Sequence, residues 1–421
     1  MIRSTRISEK NAEIMKPARK NMRDTLLSGI KILDLADQKA SFGTKLLADM
    51  GARVIKIEKP GGDPARKTAN SSRKSPPFRP GFSFYYHNTN KLGITLNLEH
   101  PTGKDLFLRL VKKNDVVVET FPPGYLQKQG LDFERLREAK PGIILASVTG
   151  YGQSGPKKDH KTCDLVAAAS GGQMYVTGAP DSYPLQQYGA QSYMAASLFT
   201  AAAILIAVRR QRRSAKGEHI DISLQEAVLS TLEHIVLQYF YDHVTPKRQG
   251  KLHWNHLFYI FPCQDGFIQL TLFEQWETLV EWMDSEGMAA DLTAKKWRDN
   301  EYRLKHLDHI ITVLKNWTKT HTTDELFKLG QLMQFPWAPV QSPTQILSCP
   351  QLRARDFFMD ITHPDITRPL RYPKIPMKFS EPLRGPDKRA PLAAEDNRTI
   401  YCQELGISEG EFKRLSSEGV I

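Results

Sequence analysis

Lys59 and Arg66 bracket a Pro/Gly-rich run, KPGGDPAR, that follows an apolar strand-like segment, and a basic loop in that place suits an anionic ligand. Gly150, Gly152 and Gly155 in GYGQSG satisfy GxGxxG, the spacing that lets backbone approach a pyrophosphate. A dinucleotide site also needs a helix to start at the glycines and an acidic residue after the next strand. Pro156, Lys157, Lys158 and Asp159 follow instead, so the segment reads as a flexible substrate-facing loop and no nicotinamide is expected. His253 and His256 stand at HxxH spacing without a third ligand, which reads as two structural histidines and no metal. Neither a GxxxxGK[ST] phosphate loop nor a GxSxG nucleophile turn occurs. The cysteines, Cys163, Cys263, Cys349 and Cys402, lie far apart with no CxxC pair; this argues against a zinc site or a disulfide framework and fits a reducing cytoplasm.

These groups need a scaffold, and the periodicity supplies one. Ile30, Ile32, Leu33 and Leu35 make a short buried strand. Leu46, Leu47 and Met50 recur at helical spacing up to Gly51, and Val54, Ile55 and Ile57 begin a second strand, giving a βαβ unit. After an exposed loop from Lys67 to Phe82, the pattern repeats. It predicts a strand at Ile94–Leu98, a helix from Pro101 to Lys113, a strand at Val116–Glu119, a helix at Asp132–Ala139 and a strand at Ile143–Val148. A long helix at Ala195–Arg210 and a strand at His219–Leu224 complete an α/β, Rossmann-like domain with a parallel sheet. From Glu226 aromatics and charges become dense. HWNHLFYIFPCQDGFIQLTLF predicts two strands around Gln264-Asp265-Gly266, and helices carrying Trp276, Trp282 and Trp297 follow, so residues 226–335 read as a smaller α/β domain. The proline-rich chain beyond returns to the first domain. The expected division is a basic extension at 1–25, a large domain from 26–225 with 336–421, and the small domain between.

The 421 residues, 40% hydrophobic, are enough for two buried cores. A formal charge of +12 favours acidic partners in general. No basic cluster interleaves with aromatics, so nucleic acid is not an expected partner. The apolar run Met194–Val208 is too short for a bilayer core of ~30 Å and ends in arginines, so it reads as a buried helix and no membrane is expected.

Three segments read together, GIKILDLADQKASFGTKLLADMGARVIKIEKPGGDPAR, the NTNKLGITLNLEHPTGKDLFLRLVKKNDVVVETFPPGYLQKQG run continuing to GYGQSGP, and AKGEHIDISLQEAV, resemble the class III CoA-transferases, the formyl-CoA and carnitine CoA-transferase family. The resemblance extends at lower clarity to the terminal LGIS. It implies a large domain built from both chain ends, two subunits threaded into an interlocked dimer, and coenzyme A, as acyl-CoA co-substrate, on the large domain. Carried over position by position, it assigns coenzyme contacts to Lys39, Ala40, Lys59, Leu96, Asn97, Thr120, Phe121, Pro122, Lys128 and Lys161. Three positions depart from the family pattern: Ala40-Ser41-Phe42 replaces Ala-Gly-Pro, Thr120 replaces Asn, and Glu99 stands where the formyl-CoA enzyme is basic.

The family's chemistry uses an aspartate that attacks the acyl-CoA thioester, forms a mixed anhydride and then carries coenzyme A as an aspartyl thioester. Aligning without gaps from AKGEHIDISL places that residue at Tyr193. A phenol, with a pKa near ~10, would give an ester rather than an anhydride. Asp181, in an Ala-Pro-Asp-Ser turn, and Asp164, at a family acidic position that supports the site, are the nearest substitute carboxylates. The racemase branch's histidine position is Cys163 and its aspartate position again Tyr193, which disfavours racemisation. Some family members divide the work between two subunits, of which one keeps the aspartate. The resemblance therefore implies a subunit without the nucleophile beside a homologous catalytic subunit that has it. The alternatives are a homomeric transferase using another carboxylate, or a coenzyme-binding assembly subunit without catalysis. Phe42, Tyr125, Tyr151 and Tyr193 suit either a bulky acyl group or ordinary packing.

Overall fold

The computed structural model describes residues 25–66, 81–364, 366, 368–380 and 388–421; the basic extension, apart from Thr25, and the loop expected at Lys67–Phe82, apart from its end, lie outside them. Six strands, β1 (Lys31–Asp34), β2 (Arg53–Glu58), β3 (Leu92–Thr95), β4 (Val116–Glu119), β5 (Ile144–Thr149) and β6 (His219–Ser223), form a parallel sheet in the order β3-β2-β1-β4-β5-β6. Side chains alternate between two buried faces. Ile32, Val54, Val116, Val118 and Ile144 enter one core, while Leu33, Ile55, Val117 and Leu145 enter the other. A strand buried on both sides is mostly apolar, which is why these segments read as short hydrophobic runs; the buried charges within them, Asp34, Lys56, Glu58 and Glu119, are exceptions.

Among the described residues ten α-helices precede the second sheet: α1 (Ser41–Asp49), α2 (Phe82–His87), α3 (Pro101–Lys113), α4 (Tyr125–Lys128), α5 (Phe133–Ala139), α6 (Asp164–Ser170), α7 (Gln173–Val176), α8 (Gln191–Ser214), α9 (Leu224–Leu229) and α10 (Ile235–Asp242). Phe82 opens α2 instead of closing a loop. The third strand ends at Thr95, three residues before the expected Leu98, because the Asn97 side chain takes the Glu99 N–H at 3.0 Å and turns the chain out of the sheet. The chain's end closes this face: the Tyr401 hydroxyl donates to Thr95 O at 2.7 Å, and Ile400, Leu405 and Leu415 join the core beneath.

A second core gathers Phe261, Leu270, Trp276, Trp282, Trp317 and Trp337 under the antiparallel strands β7 (Phe258–Pro262), β8 (Phe267–Thr271) and β9 (Ala338–Pro339). Trp297 joins it from a one-turn 3-10 segment, not from a helix. Glu286 accepts both the Trp282 and the Trp317 indole N–H, at 2.7 and 2.6 Å. The first core runs through Val228 of α9, and the second sheet takes in β9. A separate hairpin, β10 (Phe358–Ile361) with β11 (Leu370–Pro373), lies in the returning chain.

Candidate active site

Strand order reverses between β1 and β4, and the crevice beyond their carboxyl ends is where an open α/β sheet binds its ligand. The loop from β1 to α1 spans it. Its Asp37 N–H donates across the crevice to Thr120 Oγ1 at 2.9 Å, and its Lys39 carbonyl accepts Ser197 Oγ of α8 at 3.3 Å. Lys39 pairs with Asp37, and Ala40 is fully buried at the start of α1. Gly43 lets α1 press onto α8, since a Cβ there would sit 2.4 Å from Ser197 O.

A second cluster forms at the tips of β2, β3 and β4. Lys59 meets Glu99 at 3.1 Å, the Tyr125 hydroxyl donates to the same oxygen at 3.1 Å, and Phe121 packs on Tyr125 with ring centres 4.4 Å apart. The hydrogen bond to Glu99 raises the Lys59 pKa, and the same bond lowers that of Glu99. Leu96 is 1% exposed, so only its backbone is open to a ligand role. Asn97 is engaged with the Glu99 backbone, while Pro122, Lys128 and Lys161 are exposed. Arg66, expected to lend the KPGGDPAR loop positive charge, turns inward: its guanidinium is bidentate on Glu58 at 2.7 and 2.6 Å.

Tyr193 lies in the first turn of α8, half-buried. Burial first, then the electrostatic influence of the nearby Asp37, Cys163 and Asp164, pushes its phenol up to about 12. Asp164 holds this turn in place. Its Oδ1 accepts the Ser192 and Tyr193 N–H groups at 3.0 and 3.3 Å, and its Oδ2 accepts Gln186 at 2.6 Å. A carboxylate so engaged caps a helix. Asp181 is exposed in its turn. Cys163 is an exposed, free thiol preceding α6.

The glycine loop after β5 has one anchor, the Gln153 N–H lying 3.0 and 2.9 Å from the two Asp221 oxygens, and the next helix starts only at Asp164. His253 pairs with Asn255 at 2.7 Å and His256 with Gln249 at 3.1 Å. Among the described residues no group of three or more His, Cys, Asp or Glu side chains is placed to hold a metal ion.

Sequence reasoning passed over two carboxyl groups. Asp37 lies at the switch point, beside Lys39 and within electrostatic reach of Tyr193; its place just after β1 was the available signal. Glu119 ends β4 and is 4% exposed, so burial pushes its carboxyl up to about 7 even though Ser147 and the Phe121 N–H, at 2.6 Å, bond to it. Ser147 in turn meets His219 Nε2 at 2.9 Å. As the last residue of the run VVVE, Glu119 reads from sequence as a strand end.

Residues 27–397 match CoA-transferase family III. The chain belongs to that family. It is 31% identical to the succinyl-CoA:mesaconate CoA-transferase of Haloarcula hispanica, over 91% of this chain and 97% of that one. It is 28% identical to subunit BbsE of succinyl-CoA:(R)-benzylsuccinate CoA-transferase from Thauera aromatica, over 94% and 98%. The crystal structure of a CaiB/BaiF family protein from Brucella suis superposes with a TM-score of 0.81 at 28% identity, covering 90% of this chain and 99% of that one. CoA-transferases of this family take coenzyme A thioesters as co-substrates, and the α/β architecture expected from the sequence is the one observed. The helix α8 is long and apolar enough to cross a bilayer by length and composition, but here it packs on the sheet and on α1, with Ala196, Ala201, Ile204 and Val208 buried.

Proposed function

We propose that this chain is the aspartate-lacking subunit of a heteromeric class III CoA-transferase. It would move coenzyme A from an acyl-CoA to a carboxylic acid in a cytoplasmic enzyme, with a homologous partner supplying the nucleophile. Tyr193 supports the reading: the gap-free register sets it at the position of the family's carboxylate, its phenol is pushed up to about 12, and the nearby Asp164 is committed to the α8 backbone.

In this reading the partner's carboxylate attacks the thioester carbonyl, the C–S bond breaks, and coenzyme A leaves as thiolate with a mixed anhydride behind it. The thiolate then attacks the aspartyl carbonyl of that anhydride, releasing the donor acid and leaving an enzyme thioester. The acceptor carboxylate attacks the thioester to make a second anhydride, from which the thiolate takes the new acyl group. This chain's part is to hold coenzyme A through the loop at Lys39 and Ala40, the β-strand tips at Lys59, Asn97, Thr120 and Phe121, and the exposed Lys128 and Lys161, on a large domain built from both chain ends, its core reaching Val228, around a small domain whose sheet takes in Ala338–Pro339.

The apolar surface supports a homologous partner in an interlocked dimer. On α10, Leu237, Phe240 and Tyr241 are 69%, 71% and 88% exposed, and on α8 Ile206 is 69% exposed. The two CoA-transferases named above carry succinyl-CoA in their names, and the likeness to BbsE over nearly the full length points to succinyl-CoA as donor and a dicarboxylic acid such as benzylsuccinate as acceptor.

A second reading, a homomeric transferase, has one observation behind it: Asp37 lies at the switch point on the site's own loop, where Asp164 and Asp181 are a cap and a turn residue. Acyl-CoA turnover by the chain purified alone, with hydroxylamine or borohydride modification mapped to Asp37, would favour it. Activity only on adding the aspartate-bearing homologue supports the division of labour.

A further inference from the structure

Beneath the crevice lies a charged cluster that the transfer chemistry does not use. Asp34, Lys56 and Lys91 are 0%, 2% and 3% exposed. Lys91 Nζ is ringed by acceptors: Asp34 Oδ2 at 2.8 Å, Thr44 Oγ1 at 2.9 Å, Asn88 Oδ1 at 2.9 Å and Ser41 O at 3.1 Å. Lys56 Nζ donates to Ala36 O and lies 3.5 Å from Asp63. Asp34 Oδ1 takes the Ala36 N–H at 2.9 Å. The carbonyls bound by the two ammonium groups are therefore the two ends of the 36–41 loop, the one that reaches Thr120 and Ser197 on its outer side.

Two buried ammonium groups, Lys91 on Asp34 and Lys56 between Asp34 and Asp63, are a poor source of stability, because desolvation offsets their attraction and apolar residues would pack the same space at lower cost. What the cluster does provide is a fixed height and angle for the loop. We propose that Lys56 and Lys91 are positioning residues for coenzyme A binding, holding Ala36 and Ser41 from below so that the loop's ligand-facing atoms meet the thioester in one geometry. Neither lysine touches the substrate. The inference rests on the reading of this loop as a coenzyme contact, and its test separates the two.

In whichever assembly is active, the chain alone or with its partner, the variants Lys56→Met, Asp34→Asn with Lys91→Met, and Lys39→Ala are compared for KM toward acyl-CoA and for kcat. The expected result is a rise in KM of about tenfold or more for the buried-lysine variants, with kcat changed less than about threefold, and a similar rise for Lys39→Ala. A normal KM in the buried-lysine variants beside a raised KM in Lys39→Ala overturns the positioning role. A normal KM in all of them removes the loop from the coenzyme site and the inference with it. Hydrogen exchange on the unsubstituted protein covers the case in which the variants do not fold. The amides of 36–41 are expected to exchange far more slowly than those of 59–62, and equal rates would overturn the proposal.

Discussion

Replacing Glu119 with Gln tests the electrostatics of the crevice with one atom changed. The side chain is 4% exposed, and burial raises its carboxyl from the ordinary 4.5 to about 7. Such a raised value means that the folded protein keeps the proton longer than the unfolded chain does. Between pH 4.5 and 7 the folded state binds more protons, so stability falls as pH rises through that window and the full cost stands above it. The displacement corresponds to roughly 3 kcal/mol at pH 8, of which a glutamine should recover about half or more, because its carbonyl can still accept the Phe121 N–H. Urea unfolding of wild type and Glu119→Gln at pH 5 and pH 8 measures this. The variant should gain about 1–3 kcal/mol relative to wild type on going from pH 5 to pH 8. An identical difference between the two proteins at both pH values would refute the account of a buried, proton-retaining carboxyl.

Tyr193→Phe should leave transfer by the assembled enzyme within about threefold of wild type, since a phenol held neutral carries no acyl group, and a loss beyond about a hundredfold in kcat would give the hydroxyl a chemical role. Asp164→Ala removes the acceptor of the Ser192 and Tyr193 N–H groups and should cost about 1–2 kcal/mol in thermal or urea unfolding, with Asp164→Asn recovering most of it. Gly43→Val sets a Cβ 2.4 Å from Ser197 O and should destabilise the fold by about 2 kcal/mol or more, with coenzyme binding weakened as α1 moves off α8.

The sheet was legible because each strand is a short apolar run bounded by a glycine, proline or polar turn, and because the helix at Pro101–Lys113 carries its own start signal, a proline at N1. The end of β3 was not, since the turn that stops it depends on a single side chain, Asn97, taking a backbone N–H two residues on. The helix α8 starts four residues before the expected Ala195 because its first turn is capped by Asp164, a residue 28 positions from Ser192 that periodicity within the helix cannot see, and it runs on to Ser214. Lys59 and Glu99 as separate letters gave one cation and one anomalous acid; only the fold shows that they neutralise each other. Burial of Glu119, Lys56 and Lys91 was equally hidden, because a charged letter in or beside a strand reads as solvated until the neighbours that cover it are known. The proposed loss of the nucleophile at Tyr193 rests on sequence register alone, counted without gaps from AKGEHIDISL.

The account stands or falls on where the acyl group resides during turnover. The direct measurement is to mix this chain with its aspartate-bearing homologue, supply acyl-CoA, quench with borohydride or hydroxylamine, and locate the modified residue by peptide mass in each polypeptide. The account predicts modification on the homologue's aspartate, none on this chain, and no turnover by this chain alone. A modified carboxylate in this chain, with sustained transfer in the absence of any partner, would contradict it.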